Sequence, residues 1–264
     1  MVFFRREPAQ ALRPGSGQVG DKPFVEHLED LRRAVIGAAV SLGMGLLVAI
    51  PLAPSIITLL KLPLANAKID PDEFLKVIRV GDGFAVAMQV VFWSGLLISL
   101  PGILLSVARF IYPGLTPKER RVVTHCLIAS IFLFVLGVAI GYLTTVELTV
   151  LWMLRVNDWL GIRYDFIELA DYCGFVLRLL LAFGLVFEMP IVVIGLGAVG
   201  LIHSKAMRAK RRHVIVGLMA LAMVLGPPDP GFSMMMMSIP LILLYEGCIW
   251  IVWGMERKQK TEAE

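Results

Sequence analysis

The sequence predicts an all-α, polytopic integral membrane protein with six transmembrane helices and both termini in the cytosol. Three observations carry that prediction. Of 264 residues, 58% are hydrophobic and only 17% charged, whereas a soluble domain carries about a quarter charged residues. The apolar residues form continuous runs, not the alternation of an outer-membrane barrel. Lys and Arg gather in short segments beside the ends of those runs. A mean hydropathy of +0.79 excludes a disordered chain, a soluble enzyme and a secreted disulfide scaffold.

Residues 1–22 read as a flexible cytosolic tail, broken by Pro8, Pro14, Gly15, Gly17 and Gly20. Arg5 and Arg6 are followed by mostly polar sequence as far as residue 33, which is the pattern of a tail and not of a cleaved leader. A membrane domain is expected over 23–254. Its apolar runs are Ala34 to about Ile50, Phe84 to Val107, Val122 to Leu143, Cys173 to about Ile202, Val214 to Gly226, and Phe232 to Trp253. At about 20 residues per span these make six helices. The fourth run is too long for an upright helix. It must tilt or kink at Pro190, whose missing amide frees the Val186 carbonyl. The fifth run has 13 residues, about 20 Å of helix against a hydrocarbon core of about 30 Å. Residues 255–264 form a second cytosolic tail.

Charge sets the orientation. Segments 1–33, 108–121, 203–212 and 254–264 hold 18 of the 25 Lys and Arg. The opposite loops, 51–83, 144–172 and 227–231, hold six, and Arg178 lies within the fourth run. The positive-inside rule places the richer side in the cytosol. The net charge of +4 therefore reflects topology, not nucleic-acid binding. The second and third runs do not resemble the fifth and sixth, which argues against an inverted-repeat carrier.

Candidate functional residues are acids. In F-V-E-H-L-E-D-L-R-R at 24–33, Asp30 and its neighbours form either a self-paired interfacial turn or an acidic patch for a basic ligand. In Y-P-G-L-T-P-K-E-R-R at 112–121, Thr116, Pro117 and Glu119 match a capping box, yet Glu119 is also a carboxylate able to take a guanidinium. Glu188, in F-G-L-V-F-E-M-P, lies inside the fourth run, so it either stays protonated or faces a polar partner. Asp229 sits in the turn G-P-P-D-P-G. Glu246 follows Tyr245 inside the sixth run. The run Met234 to Met237 reads as lipid-facing filler or an adaptable contact. Cys126, Cys173 and Cys248 form no C-x-x-C, and His27, His125, His203 and His213 have no ligand spacing, so no metal or cofactor is expected. There is no P-loop, H-E-x-x-H or G-x-S-x-G, which points away from an enzyme.

Five segments in order, H-L-E-D-L-R-R, Y-P-G-L-T-P-K-E-R-R, F-G-L-V-F-E-M-P, G-P-P-D-P and I-P-L-I-L-L-Y-E, resemble the TatC family over about residues 22–255. TatC is the multispanning subunit of the twin-arginine protein translocase. The resemblance implies a receptor in the bacterial cytoplasmic membrane that binds twin-arginine signal peptides of folded precursors. It implies single-span partners TatA and TatB, several TatBC copies, contact with lipid and export driven by the proton-motive force. Asp30, Arg32 and Glu119 match the signal-peptide-binding motifs, Glu188 the buried acid of the fourth span associated with partner contact, and Asp229 the acid of the last outer turn. The chain departs from the usual family pattern at Ala34, Gln89, Glu147, Gly226 and Met234. Two other readings remain at this point. One is a small proton-coupled secondary transporter using Glu188 and Glu246. The other is an assembly scaffold whose acids only pair with partner spans.

Overall fold

The first helix, α1 (Phe24–Asn66), is far longer than its apolar run, because it passes through Pro51, Pro54 and Pro63 without ending. A proline leaves the carbonyl four residues earlier without its helical donor. For Pro63 that carbonyl belongs to Leu59, and the Tyr142 hydroxyl donates to it at 2.7 Å. The next carbonyl, Leu60, accepts from the Tyr172 hydroxyl, also at 2.7 Å. Two tyrosines from distant segments thus hold the last turns of α1 in place. Tyr142→Phe is expected to lower stability by about 0.5–1.5 kcal/mol, the net contribution of one such bond, read as a lower thermal midpoint in detergent.

The computed structural model describes residues 24–112, 117–161, 166–198, 202–225 and 232–263. After α1 come α2 (Pro71–Phe74), β1 (Leu75–Lys76), α3 (Asp82–Ile111) and α4 (Pro117–Ile140). A π-helical turn over Gly141–Val146 leads into α5 (Glu147–Leu160). Then follow β2 (Ile167–Glu168), α6 (Leu169–Phe187), α7 (Met189–Ala198), α8 (Ser204–Leu225) and α9 (Phe232–Ala263). The expected tail 1–22 lies outside the described residues, and α9 carries the helix through most of 255–264.

The segment expected as the loop 51–83 is therefore mostly structured. Asp70 caps α2, its carboxylate accepting from the Asp72 amide at 2.9 Å. Lys61 reaches back from α1 to Asp72 at 2.7 Å. β1 pairs in parallel with β2, Leu75 opposite Ile167 and Lys76 opposite Glu168. Gly161 ends α5 in the left-handed conformation, φ 71°, which costs glycine little.

Small residues bring α3 against α1. A Cβ added to Gly95 would lie 2.9 Å from the Leu46 Cα, a distance only glycine permits. Farther along, Gly37 faces Ser106 and Gly102 faces Ser41. Seams of this kind join membrane helices, where close backbone approach replaces the hydrophobic drive. The core centres on α6, whose Cys173, Val176, Leu179 and Phe183 are fully buried. Phe183 and Phe187 stack at 6.4 Å between ring centroids.

Among the described residues, five stretches are long and apolar enough to cross a membrane: Leu28–Asn66, Asp82–Phe110, Val123–Leu160, Leu169–Gly197 and Ser238–Arg257. The fifth apolar run lies in α8, which is not one of them. Lys205, Arg208, Lys210, Arg211 and Arg212 occupy its first half. That helix is fastened to α9 instead. The Ser204 amide donates to the Glu256 carboxylate at 2.8 Å, and the Ser204 hydroxyl donates to the same group. The Tyr245 hydroxyl donates to the Met207 carbonyl at 3.0 Å, and Arg211 pairs with Glu246.

Candidate functional site

The candidate acids fall into two regions. Asp30 and Arg32 lie in the first turns of α1 and Glu119 in the first turn of α4. Packing brings these turns to one end of the bundle. Gly37 of α1 faces Ser106 of α3, so Asp30, seven residues before the one, and Tyr112, six after the other, lie at about the same level. Tyr112 then bridges to α4, its hydroxyl 3.0 Å from that of Thr124. This bridge was not picked out in the sequence, although Tyr112 opens the Y-P-G motif.

The charges around Asp30 are arranged asymmetrically. Glu29 takes both neighbouring arginines, Arg32 at 3.5 Å and Arg33 at 3.4 Å. All three side chains are exposed, so these pairs contribute little to stability. Asp30, the residue after Glu29, is half-buried. Part of the segment is thus self-paired, as one sequence reading holds, with Glu29 pairing to Arg32 and Arg33. Glu119 occupies the third position of α4, and its side chain lies outside the described ones, as does Thr116, its expected cap. Asp229 also lies outside the described residues.

The second region surrounds Glu188. The helix expected to kink at Pro190 breaks two residues earlier, with α6 ending at Phe187 and α7 starting at Met189. Glu188 fills the break, and its carbonyl accepts from the Ile191 amide at 3.1 Å. Its side chain is only 8% exposed. One carboxylate oxygen accepts from the Ser130 hydroxyl of α4. The other has no partner among the described residues. Phe187 and Pro190, chain neighbours of Glu188, help to line an open apolar cleft of about 650 Å³ between α4, α7 and α9, with Phe132, Ile194, Leu244 and Ile251 among its other walls. A half-satisfied buried carboxyl within two residues of an apolar cleft is a candidate for a polar group carried on an apolar helix. Ser130 was not singled out in the sequence, since one serine in an apolar run carries no signal. Ser130→Ala removes the one donor seen on Glu188. It is expected to cost about 1–3 kcal/mol, while Glu188→Gln in that background recovers part of the loss, both measured by thermal unfolding.

Glu246 is placed differently from Glu188. It is held by Arg211, and the two acids sit on different helices with different partners. No group of three or more His, Cys, Asp or Glu side chains is arranged to hold a metal among the described residues.

Comparison with known proteins gives a consistent result. A family model described as TatC, Sec-independent protein translocase protein, matches residues 26–240. The Sec-independent protein translocase protein TatC of Deinococcus radiodurans is 31% identical over 238 residues, covering 89% of this chain and 87% of that protein. TatC of Escherichia coli K12 is 30% identical over 225 residues, covering 85% and 86%. The crystal structure of a twin-arginine translocase receptor, TatC in DDM, superposes with a TM-score of 0.76 at 30% identity, covering 85% of this chain and 98% of that one.

Proposed function

We propose that this chain, which belongs to the TatC family of Sec-independent protein translocase proteins, is the receptor that binds twin-arginine signal peptides in its membrane. Membership makes it a component of a protein translocase rather than a catalytic enzyme. In this reading the chain spans the bacterial cytoplasmic membrane six times. α8 is the short fifth span, and both termini face the cytosol, where most of the Lys and Arg then lie. Asp30 and Glu119 each take one arginine of the signal peptide, and Arg32 belongs to the same signal-peptide-binding motif as Asp30. Glu188 and the nearby apolar cleft receive a partner span. The partners are TatA and TatB, several TatBC units assemble together, and the proton-motive force drives export of folded precursors. Asp229 belongs to the outer turn before α9.

The observation that supports this reading most is the gathering of the α1 and α4 starts at one end of the bundle, through the α1–α3 seam and the Tyr112–Thr124 bridge. Guanidinium recognition needs planar two-bond pairing with carboxylates, which lysine cannot make. The experiment is photo-crosslinking in membranes that contain the partners, with a twin-arginine signal peptide and a twin-lysine control. Arginine-dependent labelling around Asp30 and Glu119 is the expected result. Equal labelling by the two peptides would remove the receptor reading. The proton-coupled transporter reading requires two acids at membrane depth, and Glu246 is paired with Arg211.

A further inference from the structure

We propose that the pocket between α5, α6 and α8 binds a phospholipid bearing a primary amine. The pocket encloses about 620 Å³. Its charged lining is ordered along one helix. Asp171 and Arg178 are seven residues apart on α6, so they share a face and stand about 10 Å apart along the axis. Glu168 lies just before α6 and adds a second acid at the same end as Asp171. The rest of the wall is largely apolar and includes Val150, Leu154, Phe175 and Val224.

Arg178 is the residue that calls for a ligand. It lies inside the apolar stretch Leu169–Gly197, where a cation is costly unless paired. Its Nε donates to the Gly174 carbonyl of its own helix at 2.8 Å. Its two terminal nitrogens have no carboxylate partner among the described residues, although two acids line the same pocket. The two terminal nitrogens carry four N–H donors in a planar fork, which matches a phosphate. The acids lie nearer the start of α6 and therefore nearer the membrane surface. From surface to interior the charged lining runs from the acids Glu168 and Asp171 to Arg178, beside apolar walls. The Lys76 ammonium lies over the Phe166 ring at the acidic end, and the two acids together outnumber it there. A phosphatidylethanolamine molecule presents the complementary order: ammonium, phosphate, acyl chain. Phosphatidylglycerol offers the acids no cation, and phosphatidylcholine offers them no N–H donor. The proposed six-span orientation decides only which leaflet supplies the lipid.

The test uses the full chain purified in detergent, titrated with phosphatidylethanolamine, phosphatidylcholine and phosphatidylglycerol of identical acyl chains, with bound lipid read by native mass spectrometry. The amine lipid is expected to bind about tenfold tighter than either of the others. Arg178→Gln is expected to erase most of that binding. Asp171→Asn combined with Glu168→Gln is expected to bring the amine lipid down to the phosphatidylcholine level while leaving phosphatidylcholine unchanged. This second variant alters residues at the pocket edge, so it serves where the Arg178 variant fails to fold. Equal retention of all three lipids, preference for phosphatidylglycerol, or amine preference surviving in the acid variant would each overturn the proposal. Signal-peptide crosslinking reads a different part of the molecule, so failure of either experiment leaves the other standing.

Discussion

Labelling by a twin-arginine signal peptide is expected to fall at least 100-fold, in order of magnitude, when Asp30 and Glu119 are both replaced by alanine. Hydrogen bonds to charged groups contribute about 1.5–3 kcal/mol each, so losing two carboxylate–guanidinium pairs removes about 3–6 kcal/mol of binding. Each single variant is expected to lose on the order of tenfold or more on the same scale. Glu29→Ala is the informative control. It removes the exposed ion pairs to Arg32 and Arg33, and such pairs are worth about 0–1 kcal/mol. Binding should therefore change little. Asp30→Glu should retain binding, since it keeps the carboxylate and adds one methylene of reach. Crosslinking measured as a function of peptide concentration separates these cases. Undiminished labelling in the double variant would take both acids out of the site.

Gly95→Val is expected to damage the fold severely. The new Cβ would meet the Leu46 backbone itself, 2.9 Å from its Cα, and a backbone cannot rotate aside as a side chain can. α1 and α3 would have to part along much of their seam. Overpacking of this kind costs about 1–3 kcal/mol, and more where the backbone resists. The matched control is Gly43→Val on α1, where an added Cβ meets nothing within 4 Å. That change is expected to stay within about 0.5 kcal/mol of wild type. Folded yield from membranes and the thermal midpoint in detergent read both variants. Equal behaviour would mean that the seam tolerates separation.

The sequence made the apolar runs legible because hydropathy acts over some 20 residues and needs no tertiary information. The break near Pro190 was legible for the same reason, since a proline acts on its own helix. The extension of α1 past Pro51 was not. Its last turns, around Pro63, are held by Tyr142 and Tyr172, each from a segment distant in sequence, donating to the Leu59 and Leu60 carbonyls. The expected loop 144–172 likewise begins as helix, because the π turn at Gly141–Val146 lets α4 continue into α5. At the candidate site, the motif acids could be named in advance. The Glu29–Arg33 pair could be named as well, from its i, i+4 spacing, but Tyr112 and Ser130 could not, because they are ordinary residues until packing places them.

The fastening of α8 to α9 bears on how the chain enters its membrane. Only the second half of α8 is apolar, and its first half carries five Lys and Arg. On its own such a segment gains little from leaving water. Its N-terminal amide, one of its arginines and one of its carbonyls all find their partners on α9. Those partners do not exist until the last helix has been synthesised. In the six-span topology, α8 is therefore expected to enter the membrane together with α9, as a hairpin.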